Sequence, residues 1–160
     1  MFMLRAATQA DFPAIRALIR VGQINPTGLD WHRFIVTISP GGEVIGCGQI
    51  KPHQDGSMEM ASIVVLPEWR GQGVARAIIE NLLAEFSTTS RSKGQMATQA
   101  EKTLYLTCRT SLGSFYERFG FRVVEESEMP TYFRRLRRLA GVVEALRLLG
   151  EGMLVMKREF

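Results

Sequence analysis

The chain has 160 residues, a formal net charge of +4, and 46% hydrophobic and 22% charged residues. That length suffices for a full core, and that composition excludes a disordered chain. No apolar run approaches the roughly 18 residues that span a bilayer, and the N-terminal residues reach charge too soon for a signal-peptide core. Cys47 and Cys108 make neither a disulfide framework nor a metal cluster, so no metal is expected and the expected setting is reduced and cytoplasmic. The excess charge sits in Arg134, Arg135, Arg137 and Arg138, which is too local for a nucleic-acid footprint.

Residues 3–7 predict a first strand. Thr8 or Asp11 then caps a helix with Pro13 in its first turn and Ile15, Leu18 and Ile19 on its apolar face. Residues 25–28 are a turn cluster, and 29–32 form one further helical turn. Segments 33–38 and 43–51 predict an antiparallel hairpin around the turn 39–42. After a turn at 53–56, residues 57–66 form a longer strand whose nearly continuous apolar run places it centrally in a sheet. A helix follows over 74–86, then a polar connector over 87–103 and a strand over 104–108. Residues 111–119 form a short helix that Gly120 ends, and 121–124 begin another strand. A long helix over 130–149 is broken by Gly150 and Gly152, and 153–158 form the last strand. There are no internal repeats, so one domain over 1–160 is expected.

The segment between strand 57–66 and helix 74–86 carries the most chemistry. A helix N-terminus offers unpaired amides and partial positive charge, which suit phosphate. Gly71 and Gly73 leave no side chain between those amides and an incoming diphosphate, Ala75 is small where the helix packs close, and Arg70 adds a charge-assisted contact. An ordinary turn with two glycines would carry the same letters. A dinucleotide fingerprint is excluded because Arg76 stands where its third glycine is required. A Walker loop is excluded because no Gly-Lys-Ser or Gly-Lys-Thr follows.

The run from Val65 through Pro67, Trp69, Arg70, Gly71, Gln72, Gly73 and Val74 to Ala75 resembles the acetyl-CoA motif of the GNAT superfamily of N-acetyltransferases. The core of that motif, Gln/Arg-x-x-Gly-x-Gly/Ala, is matched by Arg70, Gly73 and Ala75. A second block, Ser114-Phe115-Tyr116-Glu117-Arg118-Phe119-Gly120-Phe121, resembles the family's later Phe-Tyr-x-x-x-Gly-Phe signature. The resemblance covers residues 3–125 and resumes at the last strand. It implies an α/β (mixed α+β) GNAT fold: a central mixed, mostly antiparallel sheet of about seven strands flanked by helices. The basic amphipathic helix 130–149 is then an insertion where the family has a short hairpin turn.

The resemblance further implies an acetyl-CoA-dependent N-acyltransferase. Acetyl would pass directly from acetyl-CoA to a primary amine of a small molecule, amino acid, peptide or protein, without a metal. The backbone of Ile63, Val64 and Val65 would pair with pantetheine, and an amide there would stabilise the developing oxyanion. Arg70, Gly71, Gln72, Gly73, Val74, Ala75 and Arg76 would hold the cofactor, with Arg109 and Ser111 in the same set. Arg109 stands where many relatives place a pantetheine-contacting Asn, so a salt bridge to a phosphate or to substrate is expected instead.

Tyr116 matches the family tyrosine that protonates the departing thiolate; packing on the cofactor without a proton role is the alternative. Glu59, 11 residues before Arg70, matches a strand carboxylate used as general base; a solvent-facing strand-end carboxylate is the alternative. His53 and Asp55 are secondary candidates for the same task, and His32 reads as structural. A ping-pong route through Cys108 is conceivable, but Cys108 and Cys47 read better as small buried residues.

In helix 130–149, Phe133, Leu136, Ala140, Val143 and Leu146 form a packed stripe under a solvated arginine face. A homodimer contact, a lid and membrane-surface binding are the alternatives for that face. Tyr132 and Arg135 are candidate substrate-binding residues, which favours an acceptor bearing a carboxylate or phosphate. The rival function is a non-catalytic acyl-CoA-binding sensor or scaffold; the presence of both Tyr116 and Glu59 favours the enzyme. Neither a nucleic-acid partner nor stable membrane association is expected.

Overall fold

Short apolar runs punctuated by glycine and proline become strands, and longer amphipathic runs become helices. The computed structural model describes residues 1–92, 98, 102–145 and 151–160, with 142–145 described by backbone alone. The strands are β1 (Met3–Ala6), β2 (Phe34–Ile38), β3 (Val44–Pro52), β4 (Met58–Val65), β5 (Thr103–Arg109), β6 (Arg122–Val123) and β7 (Met153–Glu159). They form a seven-stranded mixed sheet in the order β1-β2-β3-β4-β5-β7-β6. The helices among the described residues are α1 (Phe12–Val21), α2 (Val74–Ser92), α3 (Gly113–Glu117) and α4 (Thr131–Ala145). This is the mixed α/β architecture that the resemblance implies. The described residues divide into two compact units, Met1–Lys51 with Met60–Thr89, and Pro52–Glu59 with Ser90–Phe160.

In the first unit, β1 pairs antiparallel with β2, and β2 with β3. Asp11 sets the entry to α1: its carboxylate accepts two hydrogen bonds from the Arg5 guanidinium, at 2.7 and 2.9 Å. It also accepts from the Thr8 amide and hydroxyl, at 2.7 Å each. The Arg5 contact holds the Asp11 carboxyl well below the ordinary carboxylate range. Ile15, Leu18 and Ile19 turn inward as expected and pack with Phe34, Val36, Cys47 and Val64. The pair Gly46 and Gly48 has a packing cause. A Cβ at Gly48 would lie 2.6 Å from Ile63 Cδ1 and 2.7 Å from Ile78 Cγ2, so only glycine lets α2 approach β3 this closely.

The helix α2 runs to Ser92, six residues past the expected end at Phe86. Thr88 and Thr89 direct their hydroxyls back to the carbonyls of Ala84 and Glu85, at 2.9 and 3.0 Å. The helix thus continues through residues 87–92, which carry no large apolar side chain. The expected connector therefore begins after Ser92; residues 93–97 and 99–101 within it lie outside the described residues.

In the second unit, β5 and β4 pair in parallel at Met58–Leu104 and Glu59–Tyr105, while β7 pairs antiparallel with β5 on one side and β6 on the other. The helix expected over 111–119 is a 3-10 turn, Thr110–Leu112, followed by the shorter α3. Gly120 ends this segment at φ +80°, the left-handed conformation expected of it. Strand β6 has only two residues in place of the expected four. Helix α4 starts at Thr131 and is described to Ala145; its expected end at Leu149 and the break at Gly150 lie outside the described residues. Phe133 is fully buried among Tyr105, Val124, Met129 and Val155. Leu136 and Ala140 are half-buried, and the side chains of Val143 and Leu146 lie outside the described residues.

Gly48→Ala should destabilise the chain by about 1–3 kcal/mol in chemical denaturation, because the Ile78 branch methyl cannot swing away from the added carbon. The Asp11 contribution is present above the ordinary carboxylate pKa and disappears as pH falls towards the lowered folded value. Asp11→Asn should accordingly flatten the loss of stability on acidification below about pH 4, measured by urea titration across pH.

Candidate active site

The glycine loop lies between β4 and α2. Gly71 and Gly73 adopt φ of +75° and +82°, a region that side-chain-bearing residues rarely enter, and a Cβ at either would meet nothing within 4 Å. Open space therefore faces this backbone. Ala77 donates to the Gly73 carbonyl at 3.0 Å, which marks the start of α2 and leaves the preceding amides without intrahelical acceptors. Val74 is buried, Ala75 is half-buried, and Arg70, Gly71, Gln72, Gly73 and Arg76 are exposed. Arg70 Nε donates to the Val65 carbonyl at 3.3 Å, and Gln72 Nε2 to the Glu68 carbonyl at 2.9 Å. Both contacts fasten the loop to its own flank.

Strand β4 holds a feature that sequence reasoning missed. Ser62 has φ +60° in the middle of the strand, immediately before Ile63, Val64 and Val65. Such backbone costs about 1–3 kcal/mol and collects at ligand clamps. It is held from two sides: Gln49 Nε2 donates to Ser62 Oγ at 3.0 Å, and Cys47 Sγ reaches the Ser62 carbonyl at 3.6 Å. A serine carries no left-handed preference, so no local signal announced this position.

The predicted base Glu59 is buried, not solvent-facing, at the start of β4. Its Oε2 lies 2.8 Å from His53 Nε2, and its Oε1 accepts from Thr107 Oγ1 at 3.3 Å. His53 in turn stacks on Tyr132, with ring centroids 3.5 Å apart. Two sequence candidates and a secondary one thus converge in one cluster. Asp55 has a different task from the one considered for it. One of its oxygens accepts from the amide and hydroxyl of Ser57, at 3.1 and 2.6 Å, and the other from the Tyr132 amide at 2.8 Å, the first turn of α4. A carboxylate so engaged caps a helix. His32 stacks on Trp31 and contacts Asp30 at 2.7 Å, away from this cluster in sequence and among its own neighbours.

Tyr116 is buried in α3, edge-on to Phe115 and Phe121, and burial pushes its phenol up to about 12. Burial also raises Cys108, to about 11, and Cys47, to about 12. Both thiols therefore stay protonated near neutral pH. Arg109 is exposed at the end of β5. The Ser111 amide donates to a Glu151 oxygen at 2.6 Å, so a carboxylate already occupies that donor. In α4, Arg135 is exposed, Arg134 donates to the Met129 carbonyl at 3.0 Å, and Arg138 pairs with Glu126 at 3.0 Å. The arginine face is partly tied back to its own approach segment. A separate cavity of about 690 Å³ in the first unit is walled by Phe12, Ile19, Ile24 and Leu29, with Arg16 and Arg20 at its edge.

With that geometry in place, the chain is assigned to the GNAT acetyltransferase family: residues 30–123 match the family described as "Acetyltransferase (GNAT) domain", and the chain belongs to it. Its fold is similar to N-acetylglutamate synthase from Neisseria gonorrhoeae complexed with coenzyme A and N-acetyl-glutamate, with a TM-score of 0.64 and 22% identity over 99% of this chain. The chain spans only 35% of that protein's length. It is also similar to Rv2747 from Mycobacterium tuberculosis in complex with CoA, with a TM-score of 0.63 and 24% identity over 96% of this chain and 97% of that one. A third similar structure is the ribosomal-protein-S18-alanine N-acetyltransferase from Escherichia coli, with a TM-score of 0.59 and 17% identity over 99% and 94% of the two chains. No curated protein matches the chain. No described helix is long and apolar enough to cross a membrane, and no described His, Cys, Asp or Glu residues group as a metal site.

Because both thiols are held protonated, neither Cys47 nor Cys108 should react with a disulfide reagent at pH 8 in the folded protein, and both should react after denaturation. A rapidly titrating Cys108 would reopen the acyl-cysteine route.

Proposed function

We propose that the chain is a single catalytic domain over residues 1–160 that transfers acetyl from acetyl-CoA to a primary amine in the cytoplasm. The observation that carries this reading is the loop at the start of α2, where Gly71 and Gly73 hold left-handed backbone with open space above them. That space and those amides suit a diphosphate, which a Cβ at either glycine would crowd. Acetyl-CoA supplies an activated thioester; the chain's residues do the binding, orienting and proton handling. Gly71, Gln72, Gly73, Val74, Ala75 and Arg76 offer backbone donors, and exposed Arg70 adds charge. Arg109 and Ser111 extend this set, and the carboxylate now on the Ser111 amide marks a donor for which an anionic ligand would compete.

Ile63, Val64 and Val65 follow the left-handed Ser62, whose altered pleat favours turning amides towards a ligand and away from a sheet ladder. An amide there stabilises the negative charge that develops on the carbonyl oxygen. Tyr116 serves as the acid. Burial keeps its phenol protonated, the form that an acid must hold when the thiolate departs. Glu59 belongs to the machinery that removes the ammonium proton. Tyr132 and Arg135 remain the proposed acceptor-facing residues on α4, which favours an acceptor with an anionic group. The N-acetylglutamate synthase and the ribosomal-protein-alanine N-acetyltransferase among the similar structures make amino acids and protein N-termini the first acceptors to assay.

The decisive experiment measures acetyl-CoA binding by calorimetry and thiol release with amines, amino acids and N-terminal peptides. Gly73→Val should weaken acetyl-CoA binding at least about tenfold, because a β-branched residue cannot hold this backbone. Tyr116→Phe should lower kcat by about 10²-fold with acetyl-CoA affinity unchanged. Tight binding without release on any acceptor would favour a sensor. Absence of binding would overturn the reading.

A further inference from the structure

His53 stands in the turn between β3 and β4, and its imidazole is fixed on several sides. The Tyr132 ring lies nearly parallel to it, at 3.5 Å and 17°, and Phe133 meets it edge-on at 5.5 Å. Its Nε2 lies 2.8 Å from Glu59 Oε2, with the two side chains only 9% and 6% exposed. Thr107 reaches the other Glu59 oxygen, and Asp55 is occupied by Ser57 and by the amide that starts α4. Among the described residues, the charged or titratable groups facing the ring are Glu59 from β4, Asp55 from its own turn and Tyr132 from α4. The second ring nitrogen, Nδ1, has no hydrogen-bond partner among the described residues.

An ionised carboxylate can only accept, so with Glu59 ionised the 2.8 Å contact places a proton on Nε2. In the neutral ring the lone pair is then on Nδ1, the nitrogen with no partner. We infer that His53 Nδ1 takes the proton from the acceptor ammonium, and that Glu59 is the positioning residue that holds the tautomer. This rests on the reading that the chain acetylates an amine. In the step, one ammonium N–H bond breaks and its electron pair stays on nitrogen, while the proton forms a new N–H bond at Nδ1. The neutral amine is the nucleophile. The imidazolium lies against the Glu59 carboxylate, which offsets its charge until the proton returns to solvent. Tyr132 and Phe133 keep the ring from rotating, and the Asp55 cap keeps Tyr132 over it.

Two measurements test this. The chain has two histidines, so the ¹⁵N imidazole spectrum contains His32 and His53 alone, and His53→Gln assigns them. Neutral His53 should show a protonated Nε2 and a bare Nδ1, and Glu59→Gln should mix the tautomers. A protonated Nδ1 in the wild type would overturn the inference without touching the acetyltransferase reading. The second measurement is turnover of His53→Gln, whose amide still donates to Glu59 but carries no basic nitrogen. It should lose about 10²-fold or more in kcat while keeping acetyl-CoA affinity and melting temperature. Near-wild-type turnover in this variant would return the base role to Glu59. If the wild type acetylates no amine, the acetyltransferase reading fails and the proton-acceptor role falls with it.

Discussion

The backbone of β4 is the constraint on which the rest depends. One strand begins with a buried carboxylate at Glu59, turns left-handed at Ser62 and ends at Val65, whose carbonyl ties down Arg70. A non-glycine residue in that conformation persists only where its surroundings over-determine it. Here Gln49 from β3 grips the Ser62 hydroxyl and Cys47 meets its carbonyl. A strained link held in this way can keep the strand's amides out of a regular ladder without letting the strand unravel.

The same demand for close approach explains the sequence around Cys47. Gly46 and Gly48 are bare because Ile78 and Val74 of α2 lie against them. Close packing fixes α2, and a fixed α2 fixes the position of its N-terminus and of the glycine loop that precedes it. The cysteine between the glycines is a small buried residue and not a nucleophile, since burial holds its thiol far from ionisation.

In the second unit the governing contacts join α4 to the turn before β4. Asp55 caps α4 through the Tyr132 amide, and Tyr132 returns the favour by stacking on His53. Helix α4 thereby becomes part of the cluster around His53, which is proposed to handle the acceptor's proton. Phe133 anchors the arrangement in a core with Tyr105, Val124 and Val155, so the cluster rests on packed side chains and not on a loose rim.

Much of this was legible in the sequence where the physics is local. The glycine loop was readable because left-handed backbone demands glycine and a helix start leaves amides bare, both within a few residues. The hairpin of β2 and β3 and the helix α1 followed from alternation, periodicity and a cap. The lengths of α2 and β6 were misjudged, since helix ends and short strands are set by packing more than by propensity. What the sequence determined alone was a family, a glycine loop at a helix start and a list of candidate polar residues. Tertiary structure decided which of them meet. The Asp55–Tyr132 bond spans 77 positions and the Glu59–Thr107 bond 48, and no local pattern encodes such pairings. Only the folded chain places a carboxylate on one nitrogen of His53 and leaves the other without a partner among the described residues.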